Sequence, residues 1–295
     1  MQGRSTLTSR PDGPTARPWS ATGFYGWLLA VPTGFLAVFF AWPLLRVVWR
    51  GFTDPHPGLA NFVTVFGDGP YLFVLWNTIE TAATVTVLCL LIAYPIAYVM
   101  SKARGMSLQV MAALVLIPLW TSVVIRSYAW MVVFQRRGIL NDLLLAAGIV
   151  DTPVRFLPGS FGVHVGMVHI MLPFMVLPLL SSMRSIDRTL LRAAAVLGAS
   201  PSNAFLKVFL PLSLPGVNAG VALVFMTSLG FFVTPALLGG PRHMTAAVLI
   251  EQQANTYLNW GLASALATTL LVITLAIYLV YLRVTGGAAE AALAR

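Results

Sequence analysis

Charge is scarce in this sequence: only 9% of the 295 residues are Asp, Glu, Lys or Arg, and the acids number 9 against 18 bases. Soluble domains carry about 25% charged residues, because most of their surface must meet water. A water-soluble fold of this length is thereby excluded. Cysteine is almost absent too. Cys89 stands alone, which rules out a disulfide within the chain and a thiolate metal cluster. Its place in an apolar run reads as a small buried residue. Two of the four histidines, His164 and His169, are five apart, a poor spacing for joint ligation on one helix face, so no metal site is expected. There is no nucleophile–base pairing, and the LLGGP segment at 237–241 precedes no basic helix that would cradle phosphate. The chain is not expected to be an enzyme or to hydrolyse ATP, and no cofactor is expected in it.

What the sequence does have is apolar length. Hydrophobic residues make up 58% of it, and charge-free stretches run over 18–45, 81–101, 105–125, 156–183, 208–241 and 252–282. Each reaches the roughly 20 residues that a helix needs to cross the hydrocarbon. The next gap, 193–206, is too short to do so. Stretches such as LCLLIAYPIAYVM (88–100) are apolar all round, unlike the alternating pattern of barrel strands. The expectation is an all-α membrane protein with six transmembrane helices, at about 26–49, 72–101, 107–134, 160–183, 212–235 and 260–283. The first is too long for the core of a signal peptide and is expected to be retained. Residues 1–20 read as a flexible cytoplasmic tail, 21–285 as the six-span domain and 286–295 as a cytoplasmic C-terminal tail.

Lys and Arg near the span ends set the orientation. With both termini inside, Arg4, Arg10, Arg17, Lys102, Arg104, Arg184, Arg188, Arg192, Lys207, Arg283 and Arg295 gather on the cytoplasmic side. The net charge of +9 is therefore a membrane signature and no sign of a nucleic-acid partner. Pro32, Pro95, Pro118, Pro173, Pro178 and Pro215 lie in or beside spans. They fit bent helices around an aqueous path, and equally the general tolerance of membrane helices for proline. Residues 138–158 are too short and charged to cross. Leu140, Leu143, Leu144 and Ala147 fall at helical spacing there, which predicts an amphipathic piece at the outer surface.

The long inner loop, RSIDRTLLRAAAVLGASPSNAFLKVFLPLSLPG (184–216), parses as two short helices. Asp187 is a candidate N-cap and Gly198 a C′ glycine. Ser200 and Pro201 form an N-cap with proline at N1, restarting a helix that is expected to stop against Pro211 and Pro215. Ala193, Ala194, Ala195 and Ala199 leave a smooth face, and Phe205 is a bulky apolar anchor of the kind that dominates interfaces. The bland alternative is a hairpin packed on the protein's own spans.

This segment resembles the "EAA" loop of bacterial ABC importer permeases, in which Glu-Ala-Ala, three residues, Gly and a distal Leu-Pro engage the ATPase. Ala193, Ala194, Gly198, Phe205, Leu210 and Pro211 match; the Glu position is Arg192, a charge reversal that puts any carried-over ion pair in doubt. NTIETAATVTVLCLLIAYPIAYVMSKAR (77–104), PLWTSVVIRSYAW (118–130), MLPFMVLPLLSSM (171–183) and FFVTPALLGGP (231–241) are similar to segments of the spermidine/putrescine-type permeases. The resemblance implies the type I ABC importer permease fold in the bacterial inner membrane. Its coupling loop (184–209) joins spans four and five. It also implies two copies of an ATPase that binds ATP and Mg, a second permease subunit, a periplasmic substrate-binding protein and a small organic cation such as a polyamine as cargo.

Residues in or beside spans supply the substrate-path candidates. Glu80 reads either as an attractor of cationic cargo or, with Asn77, as part of a helix-capping pair. Arg126 reads as a snorkelling cation or as the partner of an acid. Trp120, Tyr128 and Trp130 fit a cation–π surface or an interfacial aromatic belt. Rival classes are an importer of the same architecture for another small solute, such as an amino-acid derivative or opine, a self-sufficient secondary transporter or channel, and an intramembrane enzyme. The spans lack the paired acids that ion coupling needs and any convergent catalytic set.

Overall fold

The computed structural model describes residues 21–67 and 69–293; the expected tail at 1–20 and the last two residues lie outside them. The described residues form helices and no strand. They divide into two compact units, one ending at Val47 and the other beginning at Val48.

The first unit holds α1 (Ala21–Leu36), a widened π-turn (Ala37–Ala41) and the opening of α2 (Trp42–Thr53). Its large side chains from Leu28 to Leu45 are exposed, as suits contact with lipid. The π-turn sits directly ahead of Pro43. Proline has no N–H and its ring crowds the preceding carbonyls, so a locally wider turn lets the helix continue.

In the second unit, α3 (Ala60–Gly67) precedes the long helix α4 (Gly69–Lys102). The expected third span is not one helix. It is α5 (Gly105–Trp120) and α6 (Val123–Phe134), with a bend of 99° between the part before the break and the part after it. Thr121 and Ser122 both have extended ψ angles, and Pro118 near the helix end withholds a donor. Five helices are thus long and apolar enough to cross, and the bent pair, taken as one span, makes the sixth.

The short helix α7 (Ile139–Ala146) falls where the amphipathic piece was expected. Its fully buried anchor is Asn141; of the leucines, Leu140 packs against the core while Leu143 is exposed. Asn141 is fully buried; its amide donates to the Gln135 and Val154 carbonyls and its Oδ1 accepts from the Val154 N–H, at 2.8–3.1 Å. Next come α8 (Ser160–Ser185), α9 (Arg188–Val196), α10 (Pro201–Ala204) and a second π-turn (Phe205–Phe209) that leads into α11 (Leu210–Leu229). After it, α12 (Val233–Leu238), a 3-10 turn (Pro241–His243), α13 (Ala246–Glu251) and a third π-turn (Gln252–Thr256) fill the expected outer loop. The last helix, α14 (Trp260–Leu293), continues through 286–293, where a tail was expected.

The core lies among α4, α8 and α11. A four-residue stripe on α4, Val85, Cys89, Ala93 and Ala97, meets Met167, Ile170, Met171, Met175 and Leu179 of α8 in one buried cluster. On α11, Gly216 and Gly220 form a small-xxx-small pair that lets backbones approach. A Cβ on Gly216 would lie 2.5 Å from Ser182 Cβ and 3.0 Å from the Pro178 carbonyl, so that crossing requires glycine.

Candidate functional site

Two ends of the second unit carry polar chemistry. At one end the C-terminal ends of α4 and α8 meet. Arg184 donates to the Ala103 carbonyl at 3.3 Å and Arg188 to the Ser101 carbonyl at 2.8 Å. These bonds tie the start of the 184–209 loop to the end of α4.

The loop is built as its caps dictate. Asp187 accepts from the Thr189 N–H at 2.8 Å and from its hydroxyl at 2.6 Å, and these bonds hold its carboxyl below the ordinary value. At the other end of α9, Gly198 has φ +82°, with its N–H given to the Ala195 carbonyl and that of Ala199 to the Ala194 carbonyl. That left-handed residue closes the helix as a C′ glycine does. Ser200 Oγ then accepts from the Asn203 N–H at 3.3 Å, with Pro201 in the first turn of α10.

Two expectations about this loop fail. The second helix does not stop at Pro211 and Pro215. The π-turn, closed by the Leu210 N–H on the Phe205 carbonyl, precedes Pro211, and the helix runs through both prolines from Pro201 to Leu229. Nor is Phe205 a free anchor. It is half-buried, edge-on to Tyr98 at 5.5 Å and stacked on Phe209 at 5.7 Å. The exposed apolar pair is instead Val196 and Leu197, each 87% exposed where α9 ends. Arg192, Ala193, Ser200 and Pro201 are also exposed, Ala194 and Ala199 half-buried; Leu210 is half-buried and Pro211 exposed. Bulk alone singled out Phe205, while the VL pair at a helix C-terminus was the sequence signal for the exposed apolar surface.

At the opposite end, Glu80 opens into a cavity of about 430 Å³ shared with Asn77, Thr81, His164, Arg242 and His243. The capping reading of Glu80 does not survive, because α4 begins at Gly69 and Asn77 is inside it, its amide donating to the Arg242 carbonyl at 2.9 Å. Glu80 is exposed and makes no ion pair among the described residues. His164, not among the sequence candidates for this path, faces the cavity; its Nδ1 is 2.6 Å from the Ser160 carbonyl and its buried Nε2 has no partner among the described residues.

Arg126 does not snorkel outward: it is only 8% exposed, and its buried Nε and Nη1 have no acceptor among the described residues. Next to it on α6, Ser127 hydrogen-bonds Thr234 of α12 at 2.9 Å. Trp130 donates to His169 Nδ1 at 3.1 Å and stacks on Phe134 at 5.0 Å, so its ring is occupied by its own chain. Trp120 is 90% exposed and Tyr128 exposed; neither lines the Glu80 cavity. The five candidates therefore do not converge. His164 and His169 do not converge either, and no group of three or more metal-ligating side chains occurs among the described residues.

No family model matches the sequence. The spermidine/putrescine transport permease PotB of Haemophilus influenzae is 36% identical over 225 residues, covering 76% of this chain and 78% of that protein. PotB of Escherichia coli is 31% identical, over 87% of this chain and 96% of its own. The inner-membrane ABC transporter permease YdcU of the same species is 28% identical over 88% of both. Among solved structures, a bacterial ABC transporter that imports alginate superposes with a TM-score of 0.75 at 19% identity, over 89% of this chain and 95% of that one. The MetNI methionine transporter gives 0.57 at 18%, over 75% and 98%. With a bent-helix bundle, an EAA-like loop and relatives this similar along most of its length, the chain belongs to the permease family of ABC importers that includes PotB, a family of transport subunits and not of enzymes.

Proposed function

We propose that this chain forms half of the path of an ATP-driven polyamine importer in the bacterial inner membrane, paired with a second permease subunit. The 184–209 loop faces the cytoplasm and receives the closure of two ATPase subunits, and the Glu80 end receives cargo from a periplasmic binding protein. The observation that carries the cargo is the similarity to spermidine/putrescine permeases across most of the chain. Glu80 supports it: an exposed carboxylate with no ion pair among the described residues suits an ammonium group. On the ATPase side the supporting feature is Val196 and Leu197, an apolar pair held outward by the closure at Gly198. Ala193, Ala194 and Ala199 flank it with little bulk, and Arg192, Ser200 and Pro201 border it. Phe205, Leu210 and Pro211 act behind it, as the joint between the loop and α11.

A second reading, a solute that bears a carboxylate, has one observation in its favour: the buried Arg126 guanidinium has N–H groups without acceptors. The test is uptake by proteoliposomes holding the whole transporter. Labelled spermidine or putrescine is expected to accumulate with ATP, with Glu80→Gln raising the KM while the ATPase stays bound. Leu197→Asp is expected to release the ATPase, since burying a leucine contributes about 1.5–3 kcal/mol and a buried carboxylate reverses that. Uptake competed by amino acids and not by amines would refute the cargo. Full ATPase retention in Leu197→Asp would refute the docking face.

A further inference from the structure

The loop end also holds a cavity of about 530 Å³ that is apart from the solute path and shares with the docking face only Arg192, at its border. Its lining includes four cations: Lys102 and Arg104, where α4 ends, and Arg188 and Arg192 of α9. Apolar side chains of Met183, Ile186, Leu191 and Phe209 line it as well.

The cations are held but not satisfied. Arg188 gives one N–H to the Ser101 carbonyl, and the Lys102 ammonium donates to the Tyr98 hydroxyl and lies 3.8 Å from the centre of its ring. A guanidinium has five donors and an ammonium three, so both keep donors to give. Arg104 and Arg192 make no side-chain hydrogen bond among the described residues. No carboxylate lines the cavity; that of the adjacent Asp187 accepts from Thr189 and feels the charge of Arg192, one acid against four cations. With one neighbouring acid for four cations, the charges around this space still repel unless a further anion joins them. The apolar wall asks that the anion be amphiphilic.

We propose that this cavity binds the phosphate headgroup of an anionic phospholipid, with the acyl-chain side of the lipid on Met183, Ile186, Leu191 and Phe209. This rests on the reading that the loop end faces the cytoplasm, where the ends of α4 and α8 stand at the level of anionic headgroups. It also gives Arg192 a role: the residue that departs from the family pattern completes the cationic wall.

The test is native mass spectrometry of the intact transporter, with its ATPase, in detergent supplied with phosphatidylglycerol or phosphatidylcholine. Retention of phosphatidylglycerol over phosphatidylcholine on the permease chain is expected. At about five-fold per charge, Arg192→Glu, a change of two charges, lowers the affinity about 25-fold. Lys102→Gln lowers it about five-fold, and Arg283→Gln, outside the cavity, leaves it unchanged. Equal retention of the two lipids overturns the proposal. Displacement of phosphatidylglycerol by millimolar inorganic phosphate assigns the cavity to free phosphate and overturns the lipid. If Arg192→Glu sheds the ATPase while phosphatidylglycerol stays bound, the cavity takes an acid of the ATPase and the proposal falls. Retention is read on the resting complex without transport, so an error about the solute and an error about the lipid are separately visible.

Discussion

Gly198 is the residue on which the shape of the 184–209 loop turns, and replacing it separates backbone from volume. Its φ of +82° lies where an L side chain costs about 1–2 kcal/mol. A Cβ built there meets nothing within 4 Å, so within this chain the substitution carries no steric penalty. Gly198→Ala therefore shifts the loop away from its closed form by 1–2 kcal/mol, about 5- to 30-fold in population. Asparagine enters the left-handed region more readily than alanine, so Gly198→Asn is expected to lose only a few-fold. The assay is titration of purified ATPase onto the permease in nanodiscs, with the melting temperature of the bundle as control. Apparent affinity should fall in the order glycine, asparagine, alanine, at constant melting temperature. Equal defects in Ala and Asn would place the cause in volume at the partner's surface and refute the backbone argument. No defect in either would show that the left-handed closure is dispensable.

Asn141→Ala removes three hydrogen bonds at a fully buried position. At about 1 kcal/mol each, the 135–154 segment loses about 3 kcal/mol, which faster protease cleavage between 147 and 156 would report; an unchanged cleavage rate would refute the anchor. Asp187 has its carboxyl held below the ordinary value of 3.8, first by the Thr189 hydroxyl and then by its amide. Its cap on α9 is thus complete above 3.8 and is lost as pH falls through the lower folded value. Thr189→Val moves that loss to higher pH, which the mobility of a spin label at Ala195 would follow; an identical pH profile in the variant would sink the assignment.

The spans were legible because charge-free length is a property of sequence alone, and the loop's caps were legible because capping is local chemistry. Asp187, Gly198, Ser200 and Pro201 stand where the punctuation placed them. What depended on distant partners was not legible. Phe205 looked like an anchor because it is large, yet Tyr98, more than a hundred residues earlier, covers it. Asn77 and Glu80 had the spacing of a capping pair, but α4 begins eight residues before Asn77. Arg126 reads as a cation that seeks water or an acid, yet packing encloses it and it makes no ion pair among the described residues. Pro211 reads as a stop because a helix with uniform pitch must stop there, and the π-turn that precedes it leaves no simple mark in composition.

The turn at Phe205–Phe209 makes the loop and the fifth span a single shaft from Pro201 to Leu229. A hinge would let the loop swivel without moving the span; a shaft transmits torque. It also fixes phase. Inserting one residue at regular pitch after the turn, as between Leu212 and Ser213, would rotate everything ahead of the insertion by about 100° relative to the span. The caps of α9 and α10 would stay whole, yet the helix would meet the ATPase at the wrong clock angle, like a camshaft slipped by a tooth.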